Sequence, residues 1–134
     1  MMNAQQKYEH WLDIAQYDLE TAKAMLSSGR WLYVVFMCQQ AIEKLSKGLY
    51  TLYVDDNIPR IHNIKTIFDY FEDKLQVAIP KDISDFFNTL SAYYLNNRYP
   101  DFIDKLSSQI KEKEATKILS RTEGVFSWLL TLKP

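Results

Sequence analysis

The sequence predicts an all-α protein, an up-and-down bundle of four to five helices, and three observations predict it. The 134 residues include only three glycines and four prolines, against roughly 12% of residues in average usage. Composition is 47% hydrophobic and 25% charged, which suits one globular domain over residues 1–134 with enough apolar surface to form a core. Apolar residues also recur three and four apart through most of the chain, the period of a helix with one buried stripe.

Turn-forming residues cluster at Ser27-Ser28-Gly29, Asp55-Asp56-Asn57-Ile58-Pro59, Ile79-Pro80-Lys81-Asp82 and Asn96-Asn97-Arg98-Tyr99-Pro100, dividing the chain into five segments. The first carries Tyr8, Trp11, Leu12, Ala15, Leu19, Ala22 and Leu26 at helical spacing, and Gly29 stands where a C-terminal cap belongs. The second opens with eight apolar residues, Trp31 to Cys38, which periodicity alone reads as strand or helix. Ala41, Ile42, Leu45, Leu49 and Leu52 then continue at helical spacing and decide for the helix. At 100° per residue Val35, Cys38, Ile42, Leu45 and Leu49 share one face. Gln40, Glu43, Lys44 and Lys47 lie opposite, with Tyr33 and Phe36, whose exposure would call for a partner over the start of this helix. The third and fourth segments are short amphipathic helices, with Asp82 as candidate N-cap of the fourth. Residues 101–110 read as a loop or a loose turn, and the stripe resumes from Ile118 to the C-terminus. Short connections favour antiparallel neighbours.

The charge is near balance, with a net of −1, which removes the whole-molecule electrostatic case for nucleic-acid or membrane binding. A single cysteine, Cys38, among apolar neighbours reads as a reduced core thiol. With no apolar N-terminal run and no stretch long enough to span a bilayer, the expectation is a cytoplasmic protein without membrane association. The phosphate-loop, zinc, His-Glu-x-x-His and nucleophile-elbow signatures are missing, and the two histidines show no ligand spacing, so no metal and no cofactor is expected.

Three features carry polar chemistry. Gln39-Gln40-x-x-Glu43-Lys44-x-x-Lys47 is either a solvated helix face or a surface that contacts a ligand or partner. His62, before Asn63-Ile64, sits where an imidazole or amide caps a helix start. Arg98 and Tyr99, beside Pro100, suit either neutralisation of a helix C-terminus or stacking and phosphate binding. Five basic residues against two acidic ones between Lys105 and Arg121 are explained by a solvated helix surface.

In order along the chain, Trp11, Ala15, Asp18-Leu19 and Ala22, then Gln39-Gln40-Ala41-x-Glu43-Lys44-x-x-Lys47, His62-Asn63-Ile64 and Tyr94-x-x-x-Arg98-Tyr99-Pro100 together resemble the HEPN family, the higher-eukaryote and prokaryote nucleotide-binding domains. The resemblance spans about residues 5–132. It implies a bundle of four or five helices that forms a homodimer. It also implies one of three roles: partner of a separately encoded minimal nucleotidyltransferase in a toxin–antitoxin or substrate-binding pair, metal-independent endoribonuclease, or nucleotide-binding module. The ribonuclease branch carries an Arg separated from a His by four to six residues. Here Arg98 is followed at those positions by Ile103, Asp104 and Lys105, and Arg30, Arg60 and Arg121 likewise lack the histidine.

The combined expectation is a non-catalytic dimeric helical module that binds a nucleotide or phosphate-bearing ligand or partners a nucleotidyltransferase. Its candidate residues are Gln40, Glu43, Lys44, Lys47, His62, Arg98 and Tyr99. Lys44, Lys47 and Arg98 would meet phosphate, Tyr99 would stack on a base, and Gln40 with Glu43 would read polar edges. Two alternatives stand beside it: a divergent endoribonuclease acting on RNA through His62 and Arg98, and a purely structural dimerisation module.

Overall fold

The computed structural model describes residues 1–134, all-helical as expected. Its six α-helices exceed the four or five anticipated. They are α1 (Ala4–Ser27), α2 (Trp31–Tyr53), α3 (Ile64–Asp69), α4 (Lys81–Leu95), α5 (Pro100–Gln109) and α6 (Glu112–Leu130), with one 3-10 turn at Glu72–Lys74.

Helix α1 starts at a capping box: Gln6 N donates to Asn3 Oδ1 at 2.8 Å and Asn3 N to Gln6 Oε1 at 2.9 Å. It ends at Ser28, and Gly29 beyond it has φ +75°, the left-handed value that glycine adopts without a Cβ penalty. The chain reverses there into α2, which runs against α1 and also packs against α3, α4 and α6. Close approach of α1 to α2 requires Gly48, where a Cβ would stand 3.0 Å from Trp11 Cβ and 3.4 Å from Tyr8 Cδ1.

The expected core face of α2 is buried throughout: Val35, Cys38, Ile42, Leu45 and Leu49 have no exposed surface. Two expectations for its other face need correction. Phe36 is only 8% exposed because it lies edge-on to Tyr94 of α4, leaving Tyr33 as the exposed aromatic there. Glu43 is 1% exposed, so the polar stripe is not a solvated face, because α3 and the segment before it close over it.

The third segment ends after two turns because its apolar residues switch to a 3-10 turn that packs Phe71 against Phe68 and Tyr53. Asp82 does not cap α4. Pro80 is the N-cap, and Asp82 in the first turn accepts from Arg121 at 2.7 Å. Residues 100–109 form a true helix rather than a loop: Pro100 fits its first turn, Leu106 is buried and Phe102 and Ile103 pack on the core. Helix α6 begins six residues before the apolar stripe that marks it, with Glu114 accepting from Lys111 N at 3.0 Å. No helix is long and apolar enough to cross a membrane.

Candidate functional site

Local structure positions His62. Asn63 is the N-cap of α3, its Oδ1 accepting from Thr66 N at 3.1 Å, so the expected cap is made by the amide and not by the imidazole. Ile64 N donates to Ser91 Oγ of α4 at 3.0 Å, which fixes the helix start between α2 and α4. His62 is thereby delivered to the polar face of α2.

There its Nδ1 lies 3.1 and 3.2 Å from the two oxygens of Glu43. Gln39 Nε2 donates to Glu43 Oε1 and to the His62 carbonyl, each at 2.9 Å, and Lys47 Nζ donates to Glu43 Oε2 at 2.9 Å. Since the carboxylate can only accept, this contact calls for a proton on Nδ1 and leaves Nε2 as the nitrogen turned away from Glu43. The ring remains 53% exposed. A second arm continues across α2: Gln40 Nε2 donates to Gln39 Oε1 at 2.7 Å, and Lys44 Nζ donates to Gln40 Oε1 at 3.1 Å and to Asp18 of α1 at 3.3 Å.

The charges of this cluster cancel in pairs, Lys44 against Asp18 and Lys47 against Glu43. Tyr94 borders it, its ring 5.5 Å from the imidazole. Burial first, and then the Glu43 charge, hold its hydroxyl above the usual tyrosine range. No three His, Cys, Asp or Glu side chains gather in a metal-ligating group.

Of the sequence-predicted residues, Gln40, Glu43, Lys44, Lys47 and His62 form one connected cluster. Arg98 and Tyr99 are joined to it by no hydrogen bond or ion pair: the Arg98 guanidinium lies 5.2 Å from the Tyr99 ring centroid, and Tyr99 is the N-cap residue of α5. Arg98 follows the C-cap Asn96 of α4 by two residues. Gln39, Asp18 and Tyr94 complete the cluster and were absent from the candidate set. Gln39 was detectable as the residue one turn before Glu43, whereas nothing in the charge pattern pairs Asp18 on α1 with Lys44 on α2.

The HEPN domain profile matches residues 8–132, and the chain belongs to the HEPN family. Two solved structures share its fold. TT1696 from Thermus thermophilus superposes with a TM-score of 0.75 at 23% identity, covering 97% of this chain and 98% of that one. ST0689, an archaeal HEPN homologue, gives 0.72 at 23% identity with both chains fully covered. No curated protein sequence matches the chain.

Proposed function

We propose that the chain is a non-catalytic HEPN module that binds a nucleotide or another phosphate-bearing ligand at the His62 edge of the α2 cluster. It works as a homodimer and partners a separately encoded minimal nucleotidyltransferase of the toxin–antitoxin kind. The observation that carries the binding reading is the saturated Glu43 carboxylate, which accepts from Gln39, Lys47 and His62 and so fixes an imidazole with a free Nε2 at the surface. Beside it is the Tyr94 ring, and four residues further along the chain is the unpaired Arg98. In this reading Lys44 and Lys47 are scaffold: each is neutralised by a carboxylate, so phosphate charge falls to Arg98 and the polar contact to His62.

Equilibrium dialysis with ATP tests it. The wild type binds, and His62→Ala and Arg98→Ala each weaken binding while their circular dichroism stays native. Equal retention of ATP by all three refutes the site. Light scattering reads the dimer, and co-purification with a minimal nucleotidyltransferase supplied in trans reads the partner.

A second reading is favoured by the same Nδ1 contact. A His oriented by a carboxylate, with Nε2 free, is a general base suited to a ribose 2′-OH, and Arg98 would stabilise the phosphorane. It requires Arg98 within hydrogen-bond reach of the same phosphate. Cleavage of single-stranded RNA in EDTA by the wild type and not by His62→Ala would establish the endoribonuclease and displace the non-catalytic module.

A further inference from the structure

The basic residues at the start of α6 have a neighbourhood that the sequence does not reveal. Two shallow depressions adjoin there, one lined by Trp31, Lys111, Lys113 and Lys117, the other by Arg30, Trp31, Tyr33 and Lys111. They share Trp31 and Lys111 and so form one continuous surface where the α1–α2 turn meets the beginning of α6.

The cations elsewhere in the protein divide: Arg60, Lys74, Arg98, Lys105 and Lys133 form no ion pair, and seven others do. Lys7, Lys23, Lys44, Lys47, Lys65, Lys81 and Arg121 all form ion pairs with carboxylates. Arg30, Lys111, Lys113 and Lys117 form none. Glu112 is the one carboxylate among the lining residues, and Glu114 is turned to the Lys111 backbone N–H. Four cations against the carboxylates Glu112 and Glu114 leave this surface locally positive on a chain of net charge −1. Aromatic surface lies within it: Trp31 lines both depressions, and Tyr33, 57% exposed, is braced edge-on by Phe36 at 5.9 Å.

We infer that this surface binds single-stranded nucleic acid, with Arg30, Lys111, Lys113 and Lys117 meeting successive phosphates and Trp31 and Tyr33 stacking on bases. The pairing of unpaired cations with braced aromatic faces selects that occupant. An acidic peptide would match the charge and leave the rings unused, whereas a strand offers phosphates and π-faces in alternation. Stacking needs bases free of a duplex, so single strands are preferred. None of this involves the His62 cluster, and the surface stands or falls independently of the ligand proposed there.

Fluorescence anisotropy of a fluorescein-labelled oligouridylate of about twelve nucleotides, within the usual footprint of such sites, tests the inference across a salt series. The wild type binds with a log–log salt slope of about −0.7 for each phosphate neutralised. The triple variant Lys111→Gln/Lys113→Gln/Lys117→Gln flattens that slope by about 2 and binds at least about tenfold more weakly at low salt. Tyr33→Ala weakens binding about tenfold with the slope unchanged. Lys81→Gln, an exposed lysine outside both depressions, binds as the wild type does. All three cations are exposed, and circular dichroism verifies that the triple variant is folded. Failure of the wild type to bind, a triple variant with unaltered affinity and slope, or binding to a duplex as tight as to the single strand would each overturn the inference.

Discussion

Removing the Glu43 carboxylate should destabilise the fold more than removing the whole ion pair. Glu43 is 1% exposed and accepts from Lys47, Gln39 and His62, while the Lys47 side chain is itself only 12% exposed. Glu43→Ala strands the Lys47 ammonium in a nearly dry position, which costs about 3–5 kcal/mol. The double variant Glu43→Met/Lys47→Met leaves no buried charge. Gln39 keeps the His62 carbonyl as acceptor, and the half-exposed imidazole turns to water. Its cost is therefore about 1–2 kcal/mol, set by the lost hydrogen bonds rather than by desolvation. Urea titrations followed by circular dichroism, at one protein concentration because association shifts apparent stability, give both values. A single variant within about 1 kcal/mol of wild type, or a double variant as unstable as the single, refutes the reasoning.

The glycines give a contrasting pair. Gly48→Ala drives a methyl group to 3.0 Å from Trp11 Cβ and should cost about 1–3 kcal/mol despite better helix propensity. Gly124→Ala in α6 meets nothing within 4 Å and should gain about 0.5–1 kcal/mol; thermal melts read both. Gly29→Ala, at φ +75°, should lose about 1 kcal/mol by the same assay. Burial pushes the Cys38 thiol up to about 12. A raised thiol pKa means that the folded protein keeps a proton the unfolded chain releases above about pH 8.5. Stability then falls as pH rises from there toward 12, by up to about 1.4 kcal/mol per pH unit. The difference between wild type and Cys38→Ala in urea titrations at about pH 8 and about pH 10 isolates that loss, and an identical pH dependence would contradict it.

The helices were legible where one apolar stripe repeats, as in α1 and along α2 from Val35 to Leu49. They were not legible at α5, whose single fully buried residue, Leu106, leaves too thin a stripe to recognise, nor at the charged beginning of α6. The site was half legible. Glu43 and Lys47 stand one turn apart and His62 follows a turn signal, but the burial of Glu43 depends on α3 closing over α2 through Gln39 and Ser91, contacts of long sequence separation. Asp18 was hidden for the same reason. Phe36 looked exposed because α4, which covers it through Tyr94, lies far along the chain.

The central claim is that Glu43 holds His62 with Nδ1 protonated and Nε2 turned to a ligand. Nitrogen-15 NMR of the imidazole rings measures this directly, with His10, the second of the two histidines and exposed on α1, as internal control. At neutral pH His62 should show the Nδ1–H tautomer, lose it in Glu43→Met/Lys47→Met, which removes the acceptor, and respond to ATP at Nε2 while His10 stays unchanged. An Nε2–H tautomer for His62, or equal responses of the two histidines to ATP, would contradict the account.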